Sequence, residues 1–140
     1  EEPPPEPEYR YETTWALGGI PFNSYLKRAA WGWVIEADAG GVAELWAAAG
    51  QNDLSKGTLA GTVRWEWVGE ELQVTYDLDD GFVMTEAHLY VGTALPTKAA
   101  PGQLGYSARD LDDVNGHTFT VPVTGYPLYI AAHAVVGWVD

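Results

Sequence analysis

The stretch TLAGTVRWEWVGEELQVTYDL, residues 58–78, decides the fold class. Val63, Trp65 and Trp67 alternate with Arg64 and Glu66, and beyond Gly69-Glu70 the residues Leu72, Val74, Tyr76 and Leu78 alternate with Gln73, Thr75 and Asp77. Successive side chains of an extended chain point to opposite faces, so each run has one apolar and one polar face. The spacing predicts a β-hairpin that turns at Gly69, with both apolar faces directed into the molecule.

Period-two alternation recurs on either side of this hairpin. It predicts strands at YRYETTWAL (9–17), AAWGWVIEA (29–37), VAELWAAA (42–49), FVMTEAHLYV (82–91), HTFTVPV (117–123) and PLYIAAHAVVGWV (127–139), although the alanines of 42–49 also suit a helical turn. Gly40-Gly41, Gly50-Gln51-Asn52-Asp53 and Asp79-Asp80-Gly81 punctuate the strands with turn chemistry. The expected fold is all-β: an antiparallel β-sandwich or jelly roll of about eight strands with an extended Pro-rich N-terminal arm. Residues 93–116 form the one long connection and are expected to cross between sheets, partly structured. In the last run, Tyr129, Ala131, His133 and Val135 are nearly as apolar as Ile130, Ala132, Ala134 and Val136, which predicts a strand covered on both faces.

The chain of 140 residues fits one domain, divided here into an acidic Pro-rich arm (1–8) and a single sandwich domain (9–140). Its formal charge of −13 disfavours nucleic acid and anionic lipid surfaces, and no apolar run reaches the roughly 18 residues of a membrane helix. Glu1 as first residue suggests that a signal peptide has been removed, and with scarce Lys and abundant Gly and Pro it suggests an extracellular or cell-surface location.

Seven Trp and eight Tyr form a heavy aromatic load, and Trp31/Trp33 and Trp65/Trp67 each fall on one strand face. Exposed, such pairs would stack on sugar rings; alternation with polar residues favours the core instead. Trp15 and Trp138, near the chain ends, are the better surface candidates. His88 and His133 would meet if strands 82–91 and 127–139 are neighbours, and Glu86 shares the His88 face, a set that suits zinc or copper. Separations of 29 and 16 residues between the three histidines carry no ligand signature, so a hydrogen-bonded structural pair is the expectation. The cluster Asp110, Asp112, Asp113 invites calcium, but Leu111 and Pro122 occupy positions where an EF-hand loop needs oxygen ligands. No phosphate loop or nucleophile elbow occurs, the serines are Ser24, Ser55 and Ser107, and no two of the many carboxylates stand out. The expectation is a protein without catalytic residues and without a bound cofactor.

The stretches GQNDLSKGTLAGTV (50–63), VTYDLDDGFVMTEAHLYVG (74–92), PGQ (101–103) and YIAAHAVV (129–136) resemble a group of uncharacterised secreted bacterial surface domains, over about 110 residues. Their pattern is GQCD-x-SKGT-x-VGT, THLYVG, PGQ and an AHAVV ending. This chain departs from it at Asn52 and Gly137, where the group has Cys, so the disulfide that the resemblance would imply is missing. The resemblance implies an exported β domain and supplies no catalytic residue.

These readings lead to a non-enzymatic extracellular structural subunit that assembles with copies of itself. Pro3, Pro4, Pro5 and Pro7 favour an extended arm, and Tyr9, Tyr11, Thr13 and Trp15 follow on one face of a strand that a neighbour could accept at a sheet edge. Lys27, Arg28, Lys56 and Arg64 are the cations expected to receive its acids. The alternative is a secreted carbohydrate-binding module that docks polysaccharide on exposed aromatics.

Overall fold

The computed structural model describes residues 8–27, 30–37, 39–123, 125 and 127–139. The described residues fold as one antiparallel sheet of ten strands that is not closed, an arrangement consistent with a β-sandwich. The strands are β1 (Arg10–Ala16), β2 (Ile20–Pro21), β3 (Trp33–Ala37), β4 (Gly41–Ala47), β5 (Thr58–Val68), β6 (Glu71–Leu78), β7 (Val83–Gly92), β8 (Tyr106–Ala108), β9 (Gly116–Pro122) and β10 (Leu128–Trp138). Single 3-10 turns occupy Phe22–Ser24, Gly50–Asn52, Leu54–Lys56 and Pro101–Gln103.

The 58–78 hairpin forms as its alternation requires, with Trp65 opposite Val74 and Trp67 opposite Leu72. Val63, Trp65, Leu72, Val74, Tyr76 and Leu78 are all buried. β10 organises the rest. β7 runs along one edge of it, from Tyr129 to Gly137, while β3 and β1 share the other edge at Leu128–Ile130 and His133–Trp138. β1 then passes to β4, and the sheet continues through β5 and β6 to β9 at its end.

Two apolar clusters result. The larger lies between the β4-β5-β6-β9 half and the inner face of β10 and β7, and contains Leu45, Val63, Val74, Leu89, Ile130 and Val136. The smaller lies on the outer face around Trp15, Phe22, Trp33, Leu104 and Ala131, roofed by the segments that follow β1, β4 and β7. β10 is therefore covered on both sides, as its two apolar faces predict.

Three sequence expectations need correction. The strand expected over 29–37 begins only at Trp33, because Gly32 takes a φ of +116° and breaks the extended run. Segment 42–49 is a strand, but it stops at Ala47, where Ala48 turns with a φ of +58°. Trp15 and Trp138 are not surface residues; they are 2% and 9% exposed, because β1 and β10 lie inside the sheet and not at its margin. The long connection 93–116 is partly structured, carrying the Pro101–Gln103 turn and the short β8 paired to β7 before it reaches β9.

Candidate functional site

Because β7 and β10 are antiparallel neighbours, their register sets His88 directly opposite His133, with ring centroids 5.4 Å apart. His133 also meets the edge of the Trp15 indole at 4.9 Å. Both imidazoles are buried, each 3% exposed. His88 Nδ1 lies 2.8 Å from Ser107 Oγ, and its Nε2 lies 3.5 Å from Glu86 Oε2. Burial first, and the neighbouring His88 second, push the His133 pKa down to about 3, so His133 is neutral near pH 7. Its Nδ1 has no hydrogen-bond partner.

The sequence thus identified a true His88–His133 contact. It is a tilted pair, the ring planes 42° apart, with His88 tied to Ser107 and His133 against Trp15. Among the described residues no group of three or more His, Cys, Asp or Glu side chains converges as a metal site. Asp110, Asp112 and Asp113 are exposed. Asp110 and Asp113 hold positive φ values of 59° and 47°, and the Asp113 carboxylate accepts a 2.8 Å hydrogen bond from the Tyr11 hydroxyl. That bond keeps the Tyr11 phenol protonated to higher pH than usual.

The proposed arm residues divide. Pro3, Pro4, Pro5 and Pro7 lie outside the described residues. Tyr9 precedes β1, and Tyr11, Thr13 and Trp15 share the outer face of that strand, which is open at one end and roofed at the other: Tyr11 is 43% exposed and Trp15 is 2% exposed. Tyr9 and Tyr11 lie 6.0 Å apart, centroid to centroid. In this structure β1 pairs within its own chain, with β10 over Arg10–Trp15 and with β4 over Thr14–Ala16.

The cations expected to receive the arm do not form one cluster. Arg64 projects from the outer face of β5 and pairs with Asp77 at 3.2 Å, Lys56 ends an exposed turn, and Arg28 lies outside the described residues. Lys27 instead joins Lys98, which the sequence reading missed. Together they line a groove of about 570 Å³ between Leu26 and Ala30 on one side and Thr97–Ala100 on the other. A second hollow of about 290 Å³ shares Thr97, Lys98 and Gln103 with it and adds Tyr90, Pro96 and Leu104. Two hydroxyls brace the walls, Tyr25 donating to the Pro96 carbonyl at 2.8 Å and Tyr90 to the Ala94 carbonyl at 2.5 Å. Partial burial raises the pKa of both phenols, which keeps them in the donating form.

Lys98 escaped notice because nothing in PTKAA distinguishes it; only the folding of 93–104 back over the outer face brings it to Lys27. Of the positions where the resembled group has Cys, Asn52 contacts Gly32, and Gly137 on β10 lies against Tyr11 of β1. The Asn52 Oδ1 accepts from the Gly32 N–H at 2.7 Å, and a Cβ on Gly137 would meet the Tyr11 ring at 2.6 Å. No helix among the described residues is long and apolar enough to cross a membrane. No family model, curated protein or solved structure matches this chain.

Proposed function

We propose that the protein is a non-enzymatic extracellular structural subunit that assembles with copies of itself, using the N-terminal segment as the connector. The observation that carries this reading is the position of β1. The strand to which the acidic Pro-rich segment is joined runs through the interior of the sheet, held by β10 and β4. Antiparallel hydrogen bonds lie perpendicular to the strands, so tension along the arm loads many of them in shear at once. A connector rooted in this way transmits force to the centre of the fold.

Donation of 9–17 itself then takes the form of an exchange, in which the β1 of a neighbour occupies the same register against β10 and β4. The carbohydrate-binding alternative needs exposed rings. Among the described residues Tyr11 is the one large aromatic that is exposed; Trp33 and Trp65 are buried, and their partners Trp31 and Trp67 are partly buried and packed against the two clusters. Electron microscopy of negatively stained protein at near-physiological salt tests the proposal. Fibres or sheets are expected from the full chain and none after deletion of 1–8; unchanged polymers without that segment would sink it.

A further inference from the structure

We infer that the groove between Lys27 and Lys98 is the landing site for residues 1–8 of a second copy of this chain. The inference rests on the self-assembly reading above and gives it a specific contact. Two features of the segment EEPPPEPE are matched by two features of the groove. Four of its eight residues are Glu and four are Pro. The groove carries two of the three lysines of a chain whose net charge is −13, both exposed at its rim, with Leu26, Ala30 and Ala99 supplying an apolar lining. Beyond Lys98 the adjoining hollow adds the Tyr90 side chain and Leu104.

Proline-rich segments bind grooves of this kind because they are extended before binding and lose little conformational freedom. Flanking carboxylates fix the register by pairing with cations at the rim. On a molecule this acidic, a second copy is repelled almost everywhere else, which makes the lysine pair selective for the arm.

The span of the chain favours a neighbour's arm over the molecule's own. Arg10, where the arm joins β1, is opposite Trp138, whereas Tyr90 in the hollow wall is opposite Ala131. Seven residues of strand separate those levels, about 23 Å at roughly 3.3 Å per residue. Eight residues reach at most about 29 Å even when fully extended. Folded back on its own groove, the arm would deliver only Glu1 and Glu2, leaving Glu6 and Glu8 near Arg10. The arm of another molecule can present all four acids. A contact of this kind joins different surfaces of the two copies, and such a contact propagates into a filament unless the rotation closes it into a ring.

Charge exchange in the full-length chain tests the inference. K27E/K98E should lower the assembled fraction at least tenfold in sedimentation and microscopy, as should an arm carrying E1K/E2K/E6K/E8K. Mixing the two variants should restore co-assembly, because each supplies the complement of the other. A synthetic EEPPPEPE peptide should bind the arm-reversed full chain and bind at least tenfold more weakly when K27E/K98E is added. If K27E/K98E assembles as well as the parent while deletion of 1–8 abolishes polymers, the groove assignment is overturned and the self-assembly reading stands. If the parent forms no polymers at any concentration, that reading falls, and failure of the peptide to distinguish the lysines removes the groove as well.

Discussion

At the scale of single residues, His133 ties stability to pH. Its imidazole is buried against His88 and Trp15, with Glu86 and Ser107 beyond His88, and its folded pKa is about 3 against an ordinary value near 6.5. A base whose pKa is lowered by folding binds more protons when unfolded, so stability from this group rises with pH between those two values. It is fully present above about pH 6.5 and is lost as pH falls toward 3. Urea unfolding from pH 7 to pH 4 should show a loss approaching about 1.4 kcal/mol per pH unit from this group alone. His133→Leu should flatten that slope; an unchanged slope would assign the dependence to other groups. Gly32 is a second sensitive position. At a φ of +116°, a Cβ there would meet the Trp15 indole at 2.7 Å. Gly32→Ala should cost about 1–3 kcal/mol from the backbone conformation, with the displaced Trp15 adding to it, as read by thermal unfolding. The His88–His133 meeting was legible in the sequence because strand parity and one adjacency suffice to define it. The Gly32–Trp15–Asn52 packing was not, because it depends on how a turn folds over a sheet face.

At the scale of elements, alternation located the eight longer strands, and parity assigned the faces of β5 and β6, each with one apolar and one polar side, whereas β10 is apolar on both. Alternation was blind to β2 and β8, whose two and three residues are too short to show a period. β8 depends on its partners for existence. Its three residues pair with Ala87, His88 and Leu89, and Ser107 adds the side-chain bond to His88. Ser107→Ala should cost about 0.5–1.5 kcal/mol in urea unfolding. Amide hydrogen exchange should speed up most at 106–108, with little change in the β5-β6 hairpin. Equal acceleration everywhere would mean that β8 opens only with the whole sheet. The same reasoning explains why Trp15 and Trp138 were misjudged: proximity to a chain end says nothing about position in a sheet, and here the terminal strands pair with each other near its middle.

At the scale of the whole molecule, the first and last strands close the fold together. β1 contributes Ala16 to the inner core and Trp15 to the outer one, so a single strand stitches both clusters. The arm's proposed role depends on this, because a connector can bear load only if its root is indispensable. A chain lacking 1–16 should therefore fail to fold, since it exposes the β10 edge at His133–Trp138 and empties the space of a buried Trp, a loss of about 3–5 kcal/mol for that side chain alone. Addition of a peptide with the sequence of residues 8–17 should restore the near-ultraviolet circular dichroism of the folded state, because the peptide can take the β1 register from outside. The same peptide with Trp15→Ala should restore much less. Recovery with the parent peptide would demonstrate that the β1 site accepts a strand from another chain, the step on which exchange between subunits depends. A truncated chain that folds unaided would instead show that β1 is an accessory strand, and a tether rooted in it would carry little force.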